Sequence, residues 1–307
     1  MPLNLPDKLP AIELLKKENI FVIDSSRASS QDIRPLRIVV LNLMPLKITT
    51  ETDLVRLLSN TPLQVEVSFM KVKGHTSKNT PVEHMKAFYR DFELMKEEKF
   101  DGMIITGAPV EHLDYEEVNY WDEIKEIFDW ARTHVTSTLY ICWGRPKPGF
   151  VPFIMAYPNT SLDRKMFGVF KQYPLAPMLP IFRGFDDEFY MPHSRHTEIR
   201  REDVLRVPGL EVIAESPQSG VCMVMARGGR EIYITGHAEY SPYTLDTEYR
   251  RDLEKGLPID MPVNYYCHNV PEEGPLVTWR AHGNLLFSNW LNYYVYQETP
   301  YDINSIR

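Results

Sequence analysis

The sequence predicts an α/β fold, a doubly wound, mostly parallel sheet. Three observations point to it. Nearly unbroken apolar runs of strand length recur at Leu36–Leu43, Met103–Ile105 and Thr138–Ile141, as expected of parallel strands buried on both faces. Segments with helical spacing separate them, at Glu51–Leu58, His84–Leu94 and Trp121–Ala131. Each apolar run ends in a turn-forming or polar loop, so Asn42–Lys47, Gly107–Glu111 and Cys142–Gly144 are expected to share the carboxyl edge of the sheet. Ligands of open α/β sheets bind at that edge.

Residues 1–35 carry Pro2, Pro6 and Pro10, a short helical pattern at Ile12–Glu18 and an apolar stretch at Ile20–Ile23. They are expected to form an arm packed on the body, with 36–307 as a single α/β domain. Between the first core strand and Met103, Gln64–Met70 alternates as a strand. The second half supplies strands at Val221–Ala226 and Glu231–Ile234, then Thr235-Gly236-His237-Ala238-Glu239. The aromatic-rich helix at Gly283–Tyr296 lines either the core or a subunit contact.

Of 307 residues, 43% are hydrophobic and 25% charged, the balance of a globular chain with ample core. A net charge of −8 argues against a nucleic-acid or anionic-membrane surface, leaving only a local basic pocket for a phosphorylated group. No apolar run reaches transmembrane length, and the polar, Pro-punctuated start is unlike a signal peptide. Cys142, Cys222 and Cys267 make no disulfide framework and show no metal-ligand spacing, so a reducing cytoplasm is the expected location and no metal is expected.

Cys142 is delivered by a strand to a small-residue turn. A helix starting there would aim backbone N–H groups at the sulfur and favour thiolate; a buried strand-end cysteine is the ordinary alternative. His237 and Glu239 follow another strand, and alternation places both side chains on one side. A nucleophilic cysteine needs a base, and the base a carboxylate to orient it, so Cys142, His237 and Glu239 can form a triad. Lys47 follows an apolar strand and suits an oxyanion or phosphate, or is a solvated loop lysine. Pro192–Glu198 is dense in polar groups, fit to orient an amino-acid substrate or to make a surface turn. Arg251 suits a bidentate carboxylate clamp, or an exposed helix ion pair with Glu248 or Asp252.

Taken together, the motifs resemble the homoserine O-acyltransferase family of methionine biosynthesis (MetA type) nearly end to end. They include Gln31–Leu36, Leu41–Pro45, Ser59–Gln64, Thr106–Pro109, Met166–Phe170, Pro192–Arg195 and Gly283–Tyr294. The resemblance implies a class I glutamine-amidotransferase-like (flavodoxin-like) fold, with Cys142 as acyl-accepting nucleophile, His237 as general base and Glu239 as its partner. It further implies Lys165, Ser194 and Arg251 as substrate contacts, Lys47 near the cysteine, oxyanion support from N–H groups near Trp143, and a homodimer. The implied reaction is ping-pong transfer from an acyl-CoA to L-homoserine, with no permanently bound cofactor. Glu111 stands where succinyl-using relatives are expected to carry glycine. Its carboxylate would fill the space of a succinyl group and repel its charge, so acetyl-CoA is the expected donor and succinyl-CoA the alternative. A glutamine-hydrolysing enzyme of the same fold is the competing class.

The resemblance breaks at Arg145–Leu162. Family members continue there into a helix, whereas Pro148 and Pro152 each oppose one by roughly 3 kcal/mol. A family-like His-Tyr-Gly-Ile-Pro-Lys-Tyr, encoded and then read one nucleotide later, becomes Ile-Met-Ala-Tyr-Pro-Asn-Thr, the residues at Ile154–Thr160. We read the stretch as the product of compensating frameshifts, and resequencing the gene is the test. If the stretch is genuine, an impaired, binding-only protein is the expected consequence.

Overall fold

The computed structural model describes residues 3–5, 8–17, 22–23, 34–73, 79–107, 120–142, 160–300 and 302–306. Its first core strand, β3 (Leu36–Leu41), is followed by α2 (Lys47–Leu58), β4 (Val65–Lys71), α3 (Val82–Phe88) and β5 (Tyr89–Asp91). Then come β6 (Phe100–Ile105), α4 (Trp121–His134) and β7 (Val135–Ile141). Before them lie β1 (Leu3–Asn4), α1 (Pro10–Lys17) and β2 (Val22–Ile23). The later chain forms β8 (Thr160–Pro174), β9 (Phe189–Glu198), α5 (Arg201–Leu205), β10 (Leu210–Ser216), β11 (Gly220–Ala226), β12 (Glu231–Ile234), α6 (Thr244–Glu254) and α7 (Arg280–Asn289).

The strand order is β2-β1-β4-β3-β6-β7-β12-β11-β10-β8-β9, with β5 beside β4. Pairing is parallel from β2 through β12 and antiparallel beyond it. The mostly parallel sheet expected from the apolar runs is thus present, continued by an antiparallel wing. Side-chain alternation sends Ile38 and Val40 to one face, against Leu54, Leu58, Leu286 and Trp290. Val39 and Leu41 face the other way, against Ile124, Ile127 and Phe128 of α4. Both faces are therefore covered, and this accounts for strands that read as continuous hydrophobic runs.

Two expectations need correction. The single helical pattern at His84–Leu94 stops at Phe88, where the chain turns into β5 and a 3-10 turn at Phe92–Leu94. Tyr89 packs on one face of the sheet and Phe92 on the other, which one helix cannot achieve. Pro192–Glu198 is no surface turn. It lies on β9, paired with β8 in the register Ser194↔Phe167, and His193 and Arg195 point inward. The tail helix passes into a π turn at Trp290–Tyr296, whose Trp290, Leu291 and Val295 complete the core.

Candidate active site

β7 stops at Ile141, but the Cys142 N–H still donates to Ile234 O at 2.8 Å, extending the pairing with β12 by one residue. Cys142 then turns out of the sheet with φ +51°, a conformation costly for a side-chain-bearing residue. The turn leaves the thiol half-buried at the carboxyl edge rather than sealed in the core, so the ordinary strand-end alternative does not describe it. Gly107, at the end of the neighbouring β6, allows this close fit. A Cβ there would stand 2.8 Å from Cys142 O and 3.2 Å from Cys142 Cβ.

His237 reaches the same edge from β12. Gly236 admits β9 so closely that a Cβ would lie 2.6 Å from Met191 Sδ, and the His237 N–H donates to Pro192 O at 2.8 Å. The imidazole Nδ1 meets Glu239 Oε1 at 2.7 Å, and the ring also hydrogen-bonds the Cys142 side chain. Tyr240 stacks on it at 4.0 Å between centroids and 12° between planes. His237 is 2% exposed and Glu239 8%. Burial disfavours the imidazolium, but the charges and hydrogen bonds of Cys142 and Glu239 outweigh it and hold the His237 pKa well above its ordinary value. Such an arrangement sets a group able to give and take a proton beside the sulfur.

A second cluster lies alongside. Lys165 Nζ donates to Glu248 Oε1 at 2.7 Å, Ser194 Oγ to Glu248 Oε2 at 2.9 Å, and Arg251 approaches Oε1 at 3.6 Å. The three expected substrate contacts, from β8, β9 and α6, thus converge on one carboxylate. In the sequence Glu248 stands out only as an ion-pair neighbour of Arg251; nothing in its spacing reveals the cross-strand contacts. Arg251 also donates to Asp252 at 2.7 Å and is half exposed. Behind Ser194, fully buried His193 sits between Gln172 Nε2 at 3.2 Å and Arg195 Nε at 3.4 Å. Burial, then Arg195 and His237, push its pKa well below the ordinary value, so it is neutral.

Lys47 is not a solvated loop lysine. It opens α2, is 3% exposed and donates to Asn42 O and, at 3.5 Å, to Met44 O. Burial lowers its pKa to about 8 against the pull of Glu51. Glu51 in turn accepts from Tyr89 at 2.6 Å and meets His84 at 3.0 Å. Lys47 therefore anchors the β3–α2 loop among buried polar groups, and its ammonium is directed to loop carbonyls. Trp143, Glu111 and residues 145–159 lie outside the described residues, while Thr160 and Ser161 already pair with Glu198 and Thr197.

A cysteine on a strained turn at the carboxyl edge, faced by a histidine and glutamate beyond the next strand, places the chain among α/β proteins with a class I glutamine-amidotransferase-like fold. Solved structures bear out that fold. A glutamine amidotransferase of Thermotoga maritima superposes with a TM-score of 0.52 at 13% identity, covering 85% of this chain and 98% of its own. SMU.1228c does so with 0.54 at 15% identity, covering 84% and 99%.

The sequence narrows the class further. The family model described as homoserine O-succinyltransferase matches residues 2–301. Proteins named homoserine O-acetyltransferase match along the whole chain and their own whole length, from Bacteroides fragilis strain YCH46 at 73% identity and Phocaeicola vulgatus at 74%. Another, from Acetivibrio thermocellus, is 55% identical, again over all of both chains. The chain belongs to the homoserine O-acyltransferase family.

Proposed function

We propose that the protein transfers the acetyl group of acetyl-CoA to the hydroxyl of L-homoserine, giving O-acetyl-L-homoserine and CoA in methionine biosynthesis. The Cys142–His237–Glu239 relay carries this reading: a half-buried thiol hydrogen-bonded to an imidazole whose Nδ1 is held at 2.7 Å. The Cys142 sulfur attacks the thioester carbonyl, and CoA departs with a proton from the His237 imidazolium. The homoserine hydroxyl then attacks the acyl-cysteine, His237 takes its proton, and the Cys142 sulfur leaves. We place oxyanion support on backbone N–H groups at Trp143 and give Lys47 the supporting task of holding the β3–α2 loop. Lys165 and Arg251 would take the homoserine carboxylate, and Ser194 and Glu248 its ammonium end.

Glu111 supports acetyl over succinyl transfer by charge and volume, and relatives at 73–74% identity bear the acetyltransferase name. The succinyl reading is favoured by the description of the matching family model. Whole-length likeness to these relatives weighs against glutamine hydrolysis, since the amidotransferase likeness extends to fold alone. A cytoplasmic homodimer is our expectation for the assembled enzyme; among the described residues no helix is long and apolar enough to cross a membrane.

Intact-mass measurement after mixing with acetyl-CoA tests nucleophile, donor and the competence of residues 145–162 together. An acetyl adduct is expected on the parent and absent from Cys142→Ser. Turnover with both donors, in the parent and in Glu111→Gly, tests the charge argument; equal parental rates would remove it. A parent that binds acetyl-CoA without forming an adduct would make this chain a binding-only member.

A further inference from the structure

Two hydrogen bonds hold the His237 imidazole within its own plane, one between Nδ1 and Glu239 Oε1 at 2.7 Å and one with the Cys142 side chain. Two anchors in the plane of a ring leave it free to rock about the line that joins them. Tyr240 supplies a third constraint. Its ring lies 4.0 Å from the imidazole, centroid to centroid, and 12° from parallel. The tyrosine is placed by contacts that do not involve the imidazole. The chain folds back three residues after His237, with the Tyr240 N–H donating to His237 O at 3.4 Å. Buried Trp279 donates its Nε1–H to Tyr240 O at 3.0 Å. α7 closes on the same turn, where a Cβ at Gly283 would stand 2.8 Å from Ala238 O.

We propose that Tyr240 is a positioning residue of the relay: its ring fixes the tilt of the His237 imidazole and sets a π face against the imidazolium. An aromatic face carries negative charge density and attracts a cation, most strongly where water is excluded, and His237 is 2% exposed. The titratable groups acting on His237 come from three elements. Cys142 at the end of β7 and Glu239 in the loop after β12 favour the imidazolium, and neutral His193 on β9 does not oppose it. Tyr240 adds support from outside the ring plane. Tilt matters because both half-reactions pass a proton through this imidazole, and proton transfer slows when donor and acceptor are misaligned. That consequence rests on the acyl-transfer reading; the effect of the stack on the imidazolium does not.

The test is the pH dependence of Cys142 alkylation by iodoacetamide in the full chain, for the parent, Tyr240→Phe, Tyr240→Leu and Tyr240→pentafluorophenylalanine. The last matches phenylalanine in outline and reverses the charge of the ring face. His237→Asn identifies the inflection that belongs to the imidazole. That inflection should stay near parental in Tyr240→Phe and move to lower pH in Tyr240→Leu and in the fluorinated variant. Acetyl-adduct formation should slow about five- to thirtyfold in Tyr240→Leu, the loss of a desolvated cation–π contact. An unmoved inflection in Tyr240→Leu, or coincident inflections in the phenylalanine and fluorinated variants, overturns the proposal. That matched pair decides the matter even if Tyr240→Leu does not fold. A parent with the expected alkylation profile and no acetyl adduct would refute acetyl transfer and leave the action of Tyr240 on His237 standing.

Discussion

Replacing Glu239 with glutamine removes one charge and almost no volume, so it isolates what the carboxylate does for His237. The contact is a 2.7 Å hydrogen bond between groups 2% and 8% exposed, so solvent screens it little. A charge-assisted hydrogen bond in such a setting is worth about 1.5–3 kcal/mol. Its loss should lower the His237 pKa. If the proposed relay acts through the imidazolium, kcat/KM at neutral pH should fall about ten- to hundredfold. The glutamine oxygen can still accept from Nδ1, so the tautomer survives and charge alone is tested. The pH dependence of Cys142 alkylation by iodoacetamide, read beside kcat/KM, is the assay. The upper inflection, where the imidazolium is lost, should move down in Glu239→Gln. An unmoved inflection with unchanged kcat/KM would show that Glu239 neither charges nor supports His237. The stability sign follows from the same shift. A histidine raised in the folded state stabilises fully below its unfolded value of about 6.5 and loses that contribution as pH rises through its folded value. Parent and Glu239→Gln should therefore differ most in urea unfolding at acidic to neutral pH and converge in alkali.

Gly107→Ala should destabilise the fold by about 1–3 kcal/mol and slow Cys142 acylation, because the new Cβ would stand 2.8 Å from Cys142 O. Urea unfolding and adduct formation from acetyl-CoA check the two effects separately. Glu248→Gln should raise the KM for homoserine while leaving acetyl-adduct formation near parental, since Glu248 gathers Lys165 and Ser194 but is absent from the Cys142 relay. A matching loss in both half-reactions would place Glu248 outside amino-acid binding. Tyr89→Phe strips the 2.6 Å donor from buried Glu51 and should cost about 1–3 kcal/mol in chemical denaturation. An unchanged midpoint would mean that His84 alone satisfies that carboxylate.

Legibility in the sequence followed locality. The parallel half was readable because strands such as Ile38–Leu41 are buried on both faces and must be apolar throughout, a signal carried within each segment. The His237–Glu239 pair was readable for the same reason: two residues on one extended stretch share a side, and they meet at 2.7 Å. The β8–β9 hairpin was not legible. β9 buries His193 and Arg195, polar residues whose partners are Gln172, Thr197 and Ser219, so neither strand shows the alternation that marks a half-buried one. Glu248 carries little sequence signal for a related reason. Its contact with Arg251 lies one helical turn away, but those with Lys165 and Ser194 span 83 and 54 residues. Lys47 shows the converse limit. A lysine after a buried strand reads as solvated or catalytic, yet it is buried against carbonyls at its own helix start, where Glu51, one turn later, offsets part of the cost. Charge placed in a core by such mutual compensation leaves no periodic trace. It becomes visible only when the partners are seen side by side.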